Sequence, residues 1–307
     1  MSDPAPEFWI ALALVGAVAQ TARNATAQTI STRISPSLNS WSRFAFCLPY
    51  AAAAAILVSA QTGWPTLSPT FFAYCLATAL AQLLGNVALI SAFRAGRFGE
   101  SIVFHKLEVA LTAIAGALWF AELPSRTAAA GILLCVTGVV TMNLTRGANE
   151  GGWRRAFRFG RPGVLALLCA VLLVFASFFI KLANAAIRSL DPSTSFFEGA
   201  VQTLFHTTWI EVLLLSAWIG WREPRSFLEV GVHWRRMLLI GSSGFTASLC
   251  WFWAFSLTFV AYVKAVGQLE ALLAVALGIR LMGEHDLWRQ LPGVGLTVVG
   301  IALVLLG

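Results

Sequence analysis

The stretch LEVALTAIAGALWFAELPSRTAAAGILLCVTGVV, Leu107–Val140, returns as LEALLAVALGIRLMGEHDLWRQLPGVGLTVVGIA, Leu269–Ala302, after a shift of 162 positions. The shift lays Glu108 on Glu270, Gly116 on Gly278, Glu122 on Glu284, Gly131 on Gly293 and Gly138 on Gly300. It also matches Leu134 with Leu296, Val136 with Val298 and Leu144 with Leu306, and further upstream Ala92 and Phe93 with Ala254 and Phe255. Two copies of one apolar unit are the usual build of secondary transporters, in which the site forms where the copies meet.

Composition sets the solvent. Hydrophobic residues make up 58% of the 307, charged residues 11%, and the mean hydropathy is +0.76. A water-facing domain carries about a quarter charged residues, so this chain cannot clothe a soluble surface. Apolar stretches of the ~20 residues that cross a bilayer recur at about 7–29, 41–60, 70–93, 98–120, 126–145, 162–186, 196–220, 236–258, 261–281 and 288–306. The expected fold is therefore an all-α integral membrane protein of ten transmembrane helices, arranged as two inverted five-helix repeats. Residues 1–146 form the first repeat, 147–161 a basic cytoplasmic linker, and 162–307 the second. Five helices per copy is an odd number, which puts the second copy into the membrane upside down.

The N-terminal stretch does not read as a cleaved signal, because Asp3 and Glu7 stand where positive charge is needed. Cys47, Cys75, Cys135, Cys169 and Cys250 lie inside apolar stretches without paired spacing, so packing explains them better than disulfides or zinc. No metal and no cofactor is expected.

The net charge of +7 is a matter of topology. Arg33, Arg94, Arg97, Arg146, Arg154, Arg155, Arg158, Arg161, Arg222, Arg225, Arg235, Arg236, Arg280 and Arg289 fall in alternate loops, against Arg126, Arg188, Lys181 and Lys264 on the other side. Positive loops stay inside, so these loops are expected in the cytoplasm and both termini outside. The linker interleaves arginine with Trp153, Phe157 and Phe159. Beside a membrane such a segment lies on anionic headgroups, so membrane lipids are expected partners and nucleic acid is not.

Glu108 enters the fourth helix by about ten residues, ~15 Å at 1.5 Å per residue, close to the bilayer midplane. Glu270 reaches a similar depth from the opposite side. A charge there costs roughly 3 kcal/mol or more and needs a partner or a wet cavity. His105 precedes Glu108 by three residues and shares its face, with Ser101 and Thr112 extending the polar stripe. Such a pair could exchange a proton with substrate, and Glu108, Glu270 and His105 are taken as candidate substrate or proton residues. The plain alternative is an interhelical hydrogen bond. Lys106, Gln268 and Trp251 are added, Lys106 for an anionic group and Trp251 for an apolar, aromatic or cationic one. Lys264 lies near the outer end of its helix, where snorkelling accounts for it.

Glu198, Gln202 and His206 share a face of the seventh helix, with Glu211 beyond. Lys181 and Asn184 approach the same membrane face. A Lys181–Glu198 contact is a candidate gate with Gln202 and His206, or a plain ion pair. Arg23 and Asn24 either meet substrate or snorkel. Glu122 and Glu284 read as residues that hold a turn, and Glu284-His285-Asp286 as a solvated loop cluster.

The segments FAELPSRTAAAGILLCVTGVV and MGEHDLWRQLPGVGLTVVGIAL resemble the closing signature of the drug/metabolite transporter superfamily, EamA type. That signature is a helix ending in glutamate, a short loop, and a glycine-marked helix with a second glycine seven residues on. The resemblance implies a central cavity lined by the first, third, fourth, sixth, eighth and ninth helices, and alternating access for amino acids, related metabolites or amphipathic drugs. It also implies residence in the bacterial inner membrane. Two features depart from the pattern. Many members have proline where Val109 and Ala271 stand, and many place both termini in the cytoplasm.

The expected function is secondary transport of a small organic metabolite, amino-acid-like or amphipathic and aromatic, with proton coupling through the midplane glutamates. The alternative is a flippase for lipid or lipid-linked headgroups. An enzyme is not expected, because the chain has no H-E-x-x-H and no G-x-S-x-G motif. A chain with both repeats holds a complete site, so a monomer suffices and a dimer is compatible.

Overall fold

The computed structural model describes residues 7–94, 104–146, 160–273 and 290–307; the linker through residue 159, Ser101 and the Glu284 cluster lie outside them. The described chain is helical: α1 Phe8–Ile30, α2 Pro36–Ala45, α3 Leu48–Thr62, α4 Pro69–Arg94, α5 Glu108–Trp119, α6 Arg126–Arg146, α7 Arg161–Leu190, α8 Phe196–Arg222, α9 Leu228–Leu257, α10 Val260–Val266 and α11 Leu291–Leu306. No strand occurs among the described residues.

Helix starts follow from local sequence. Ser35 precedes Pro36, and its hydroxyl accepts the Leu38 N–H at 3.2 Å. Ser68 before Pro69 does the same for Phe71 at 3.1 Å, and Ser125 for Ala128 at 3.0 Å. Serine supplies the cap, and proline, where it follows, supplies a helical φ without a wasted donor. Helix α3 stops at Gly63, whose φ of +88° only glycine adopts cheaply.

Among the described residues, Pro36–Thr62, Pro69–Leu89, Arg161–Leu190 and Pro224–Leu257 are long and apolar enough to cross a membrane; α11 and Arg126–Met142 are shorter apolar helices. Large side chains such as Leu57, Leu118 and Leu133 are more than half exposed, which is tolerable in lipid and costly in water. The stretch expected at 41–60 is broken after Ala45 into α2 and α3. Pro49, in the first turn of α3, accounts for the break, since it lacks the N–H and crowds the carbonyl of the preceding turn, and Gly241 of α9 accommodates it. A Cβ there would lie 2.6 Å from the Phe46 carbonyl oxygen, so the backbone between the two helices occupies the space a side chain would need.

The chain forms two compact units, Met1–Leu80 with Ser177–Leu257, and Ala81–Ala176 with Thr258–Gly307. Each draws on both sequence halves. In the first unit, Ile30, Leu38, Ile219, Met237 and Ile240 make one buried cluster, while Phe71, Cys75, Ala183, Ile187 and Ile210 make another.

In the second unit, α6 and α11 run antiparallel through their glycines. A Cβ on Gly131 would sit 2.6 Å from the Gly300 carbonyl oxygen, and one on Gly138 2.6 Å from that of Gly293. Small residues let membrane helices touch backbone to backbone, where packing replaces the hydrophobic effect as the adhesive force. The 162-residue shift maps Gly131 onto Gly293 and Gly138 onto Gly300, so it exchanges the two contacts with each other.

Candidate functional site

Two helix interruptions build the site, and neither was expected from the sequence. Residues 104–106 are helical, Leu107 forms a turn, and α5 restarts at Glu108. In the other half α10 ends at Val266, Gly267 and Gln268 form a turn, and helix resumes at 269. Leu107 has φ −63° and ψ −12°, Gly267 φ −58° and ψ −18°, the dihedrals of a tight 3₁₀ step. The Glu270 N–H then reaches the Gly267 carbonyl at 3.0 Å and the Ala271 N–H reaches Gln268 at 2.9 Å, three residues back instead of four. Interrupted helices in corresponding positions of two repeats mark the binding region of many transporters.

The polar groups gather at these steps. Lys264 of α10 forms an ion pair with Glu108 in the first turn of α5; the side chains are 10% and 19% exposed respectively. The Lys264 ammonium also donates to the Leu173 carbonyl of α7 at 3.2 Å. The Gln268 amide N–H donates to the Lys264 carbonyl at 3.3 Å, satisfying a group that the interruption releases. Its carbonyl Oε1 is buried and has no hydrogen-bond partner among the described residues. His105 faces α7, with Nδ1 3.7 Å from the Cys169 sulfur. Lys106 and Glu270 act electrostatically on His105 alongside Glu108 and Lys264. Thr112 turns inward on its own helix, donating to the Glu108 backbone carbonyl at 2.7 Å.

The structure thus brings Glu108, His105, Gln268 and Lys264 together. It corrects the snorkelling expected of Lys264, whose ammonium is spent on Glu108 and Leu173.

The remaining candidates belong to the first unit. Trp251 donates its indole N–H to Gln20 at 3.1 Å, stacks on Phe255 and packs over Gly16. Glu198 closes a capping box, accepting the Ser195 N–H at 2.6 Å; the carboxylate expected to gate with Lys181 thus fixes the start of its own helix. Gln202 donates to Ser59 at 2.8 Å. His206 accepts the Trp209 indole N–H at 3.0 Å and lies edge-on to Phe71 and Phe72, a packed environment. Arg23 is buried and donates to its neighbour Asn24 at 2.9 Å.

Glu122 is buried and accepts the Val260 N–H at 2.9 Å. The turn-holding role read from the sequence takes a longer reach, since the carboxylate caps the first turn of α10, the helix that presents Lys264. Replacing Glu122 by alanine is expected to cost about 1–3 kcal/mol, the range for a buried donor left unpaired. Glutamine, which keeps an acceptor, is expected to lose less than half of that. Thermal unfolding of the purified variants measures both.

Residues 161–306 match the EamA-like transporter family. No curated protein sequence matches the chain. Among solved structures, the chain is similar to a protein known from its crystal structure, at 15% identity and a TM-score of 0.69, over 98% of this chain and 99% of that one. At that identity the likeness is one of fold. Residues 161–306 are thus similar to a family of membrane transporters, and the long apolar helices among the described residues indicate a multi-pass membrane protein.

Proposed function

We propose that the chain is a secondary transporter that moves a small, amino-acid-like metabolite across the bacterial inner membrane by alternating access, with the Glu108–Lys264 pair as its binding site. The observation that carries this reading is a buried ion pair placed at two helix interruptions, next to a buried glutamine carbonyl without a partner among the described residues. A zwitterion is the electrostatic image of such a pair. Its ammonium meets Glu108, its carboxylate meets Lys264, and an additional N–H of the substrate donates to Gln268 Oε1. Each buried charge keeps a counter-charge throughout, so the exchange avoids the several kcal/mol that an isolated buried ion costs. A proton arriving on Glu108 would release Lys264 in the same way, which couples the site to a proton gradient.

In this proposal the chain crosses the membrane ten times as two inverted repeats, with the arginine-rich loops in the cytoplasm and both termini outside. The self-mapping glycine contact of α6 and α11 and the corresponding steps at Leu107 and Gly267 support the inversion.

The test is binding by purified protein across a panel of metabolites and lipids, at acidic and mildly alkaline pH, for wild type, Glu108→Gln and Glu270→Gln. A zwitterionic ligand that wild type binds with a pH-dependent affinity, and that Glu108→Gln no longer binds, is the expected result. Binding indifferent to pH and to both substitutions would reduce the pair to a structural strut. A response confined to lipids would make the protein a flippase.

A further inference from the structure

The first unit contains a pocket of about 260 Å³, lined by Ser59, Trp64, Asp191, Ser193, Glu198 and Gln202 among others. It lies where α3 ends, α7 ends and α8 begins. Two carboxylates and no basic residue line it, although the chain as a whole is basic. That charge is not accidental packing. Asp191 accepts the backbone N–H and the hydroxyl of Ser193 at 3.0 and 2.6 Å, bonds that hold its carboxyl below the usual carboxylate range and so ionised at neutral pH. Glu198 is fixed by the capping box. Both acids are therefore held in place by the backbone at the pocket wall.

A second observation is independent of the acids. Gln202, 1% exposed, forms part of the lining. Its amide N–H donates to Ser59, and its carbonyl Oε1 has no partner among the described residues. Buried acceptors in folded proteins are almost always satisfied, and an exception calls for a donor. The third element is Trp64, 61% exposed at the pocket rim, whose face attracts a cation. The volume is just below the usual ~300–1,000 Å³ of ligand pockets, which restricts the occupant to a small molecule.

We propose that this pocket is a second binding site, distinct from the Glu108–Lys264 pair, for small organic ammonium compounds. The ammonium lies between Asp191 and Glu198, donates toward Gln202 Oε1, and is covered by Trp64. A neutral molecule of the same shape leaves the carboxylates uncompensated, and an anion is repelled.

The test uses the purified full-length protein with benzylammonium as the probe, and benzyl alcohol and benzoate as its neutral and anionic counterparts. Binding is read by calorimetry and by the quenching of tryptophan fluorescence. Wild type is expected to bind benzylammonium at least tenfold more tightly than either counterpart. Asp191→Asn with Glu198→Gln, which keeps the acceptor of the turn and the glutamine alternative of the capping box, is expected to lose at least tenfold. Gln202→Leu is expected to lose several-fold, and Trp64→Phe to remove most of the quenching. Should the double variant misfold, Asp191→Asn alone decides, with a several-fold loss expected. Equal affinity for the three probes overturns the proposal. So does binding that survives the loss of both carboxylates, or that disappears only in Glu108→Gln, which would move the ammonium to the other site.

Discussion

Replacing Lys264 with methionine, or Glu108 with glutamine, is expected to destabilise the protein by about 3–5 kcal/mol, the range for breaking a buried ion pair from one side. The double variant Glu108→Gln with Lys264→Met is expected to lose much less than the sum. The reason is asymmetric. Either single change leaves a charge with its solvation already surrendered, whereas removing both leaves two groups of similar volume and no ion. The Leu173 carbonyl, which keeps accepting from Lys264 when Glu108 is neutralised, moderates one single change and not the other. Glu108→Gln is accordingly expected to be the milder of the two. Thermal unfolding of the four proteins gives the coupling energy directly, and additive losses would show that the two side chains do not sense one another. Substrate binding is expected to disappear in all three variants, since the restored stability of the double variant does not restore its charges.

The second large effect concerns the glycines that join α6 to α11. Gly138→Ala places a methyl 2.6 Å from the Gly293 carbonyl oxygen and from the Thr297 backbone nitrogen. Backbone on both sides cannot step aside as a flexible side chain would, so the helices must part. Overpacking of ordinary cores costs about 1–3 kcal/mol; here about 3 kcal/mol or more is expected, and Gly138→Leu is expected to prevent recovery of folded protein. Gly295 on the partner helix α11 is the control, because nothing lies within 4 Å of a Cβ there. Gly295→Ala is expected to stabilise by about 0.5–1 kcal/mol, the ordinary gain of alanine over glycine in a helix. Opposite signs at two helical glycines, one on each partner of the contact, cannot arise from helix propensity. Equal effects would mean that the close contact is absent.

Much of this was legible in the sequence because membrane burial leaves a coarse signature. Apolar length marked the helices, and the 162-residue repeat singled out Gly131, Gly138, Gly293 and Gly300 before their contacts were seen. Depth alone made Glu108 a candidate. Its partner was harder to read. Lys264 sits where a lysine can reach the headgroups, and choosing between that and an inward pair requires the angle of its helix about its axis, which sequence spacing does not fix against a neighbour. The steps at Leu107 and Gly267 were also hidden. Leu107 is an ordinary helix former, so its propensity gives no sign of the 3₁₀ geometry it adopts. Glu198 has a local role that its spacing does not announce. Its spacing to Gln202 and His206 suggested a stripe along one helix face, but Ser195 three residues before it is the first half of a capping box, so one carboxylate oxygen also fixes the start of the helix. Trp251 was grouped with the central acids by its chemistry, while the chain assigns it to the unit that does not contain Glu108.

The measurement that bears most directly on the Glu108–Lys264 site is exchange of labelled zwitterionic amino acids by proteoliposomes. It compares wild type with Glu108→Gln/Lys264→Met, the variant expected to keep the fold while losing both charges. The pair as binding site requires saturable exchange in wild type, weakened when the amino acid is esterified or acylated, and none in the double variant. Exchange by the double variant at the wild-type rate would show that substrate passes without meeting either charge.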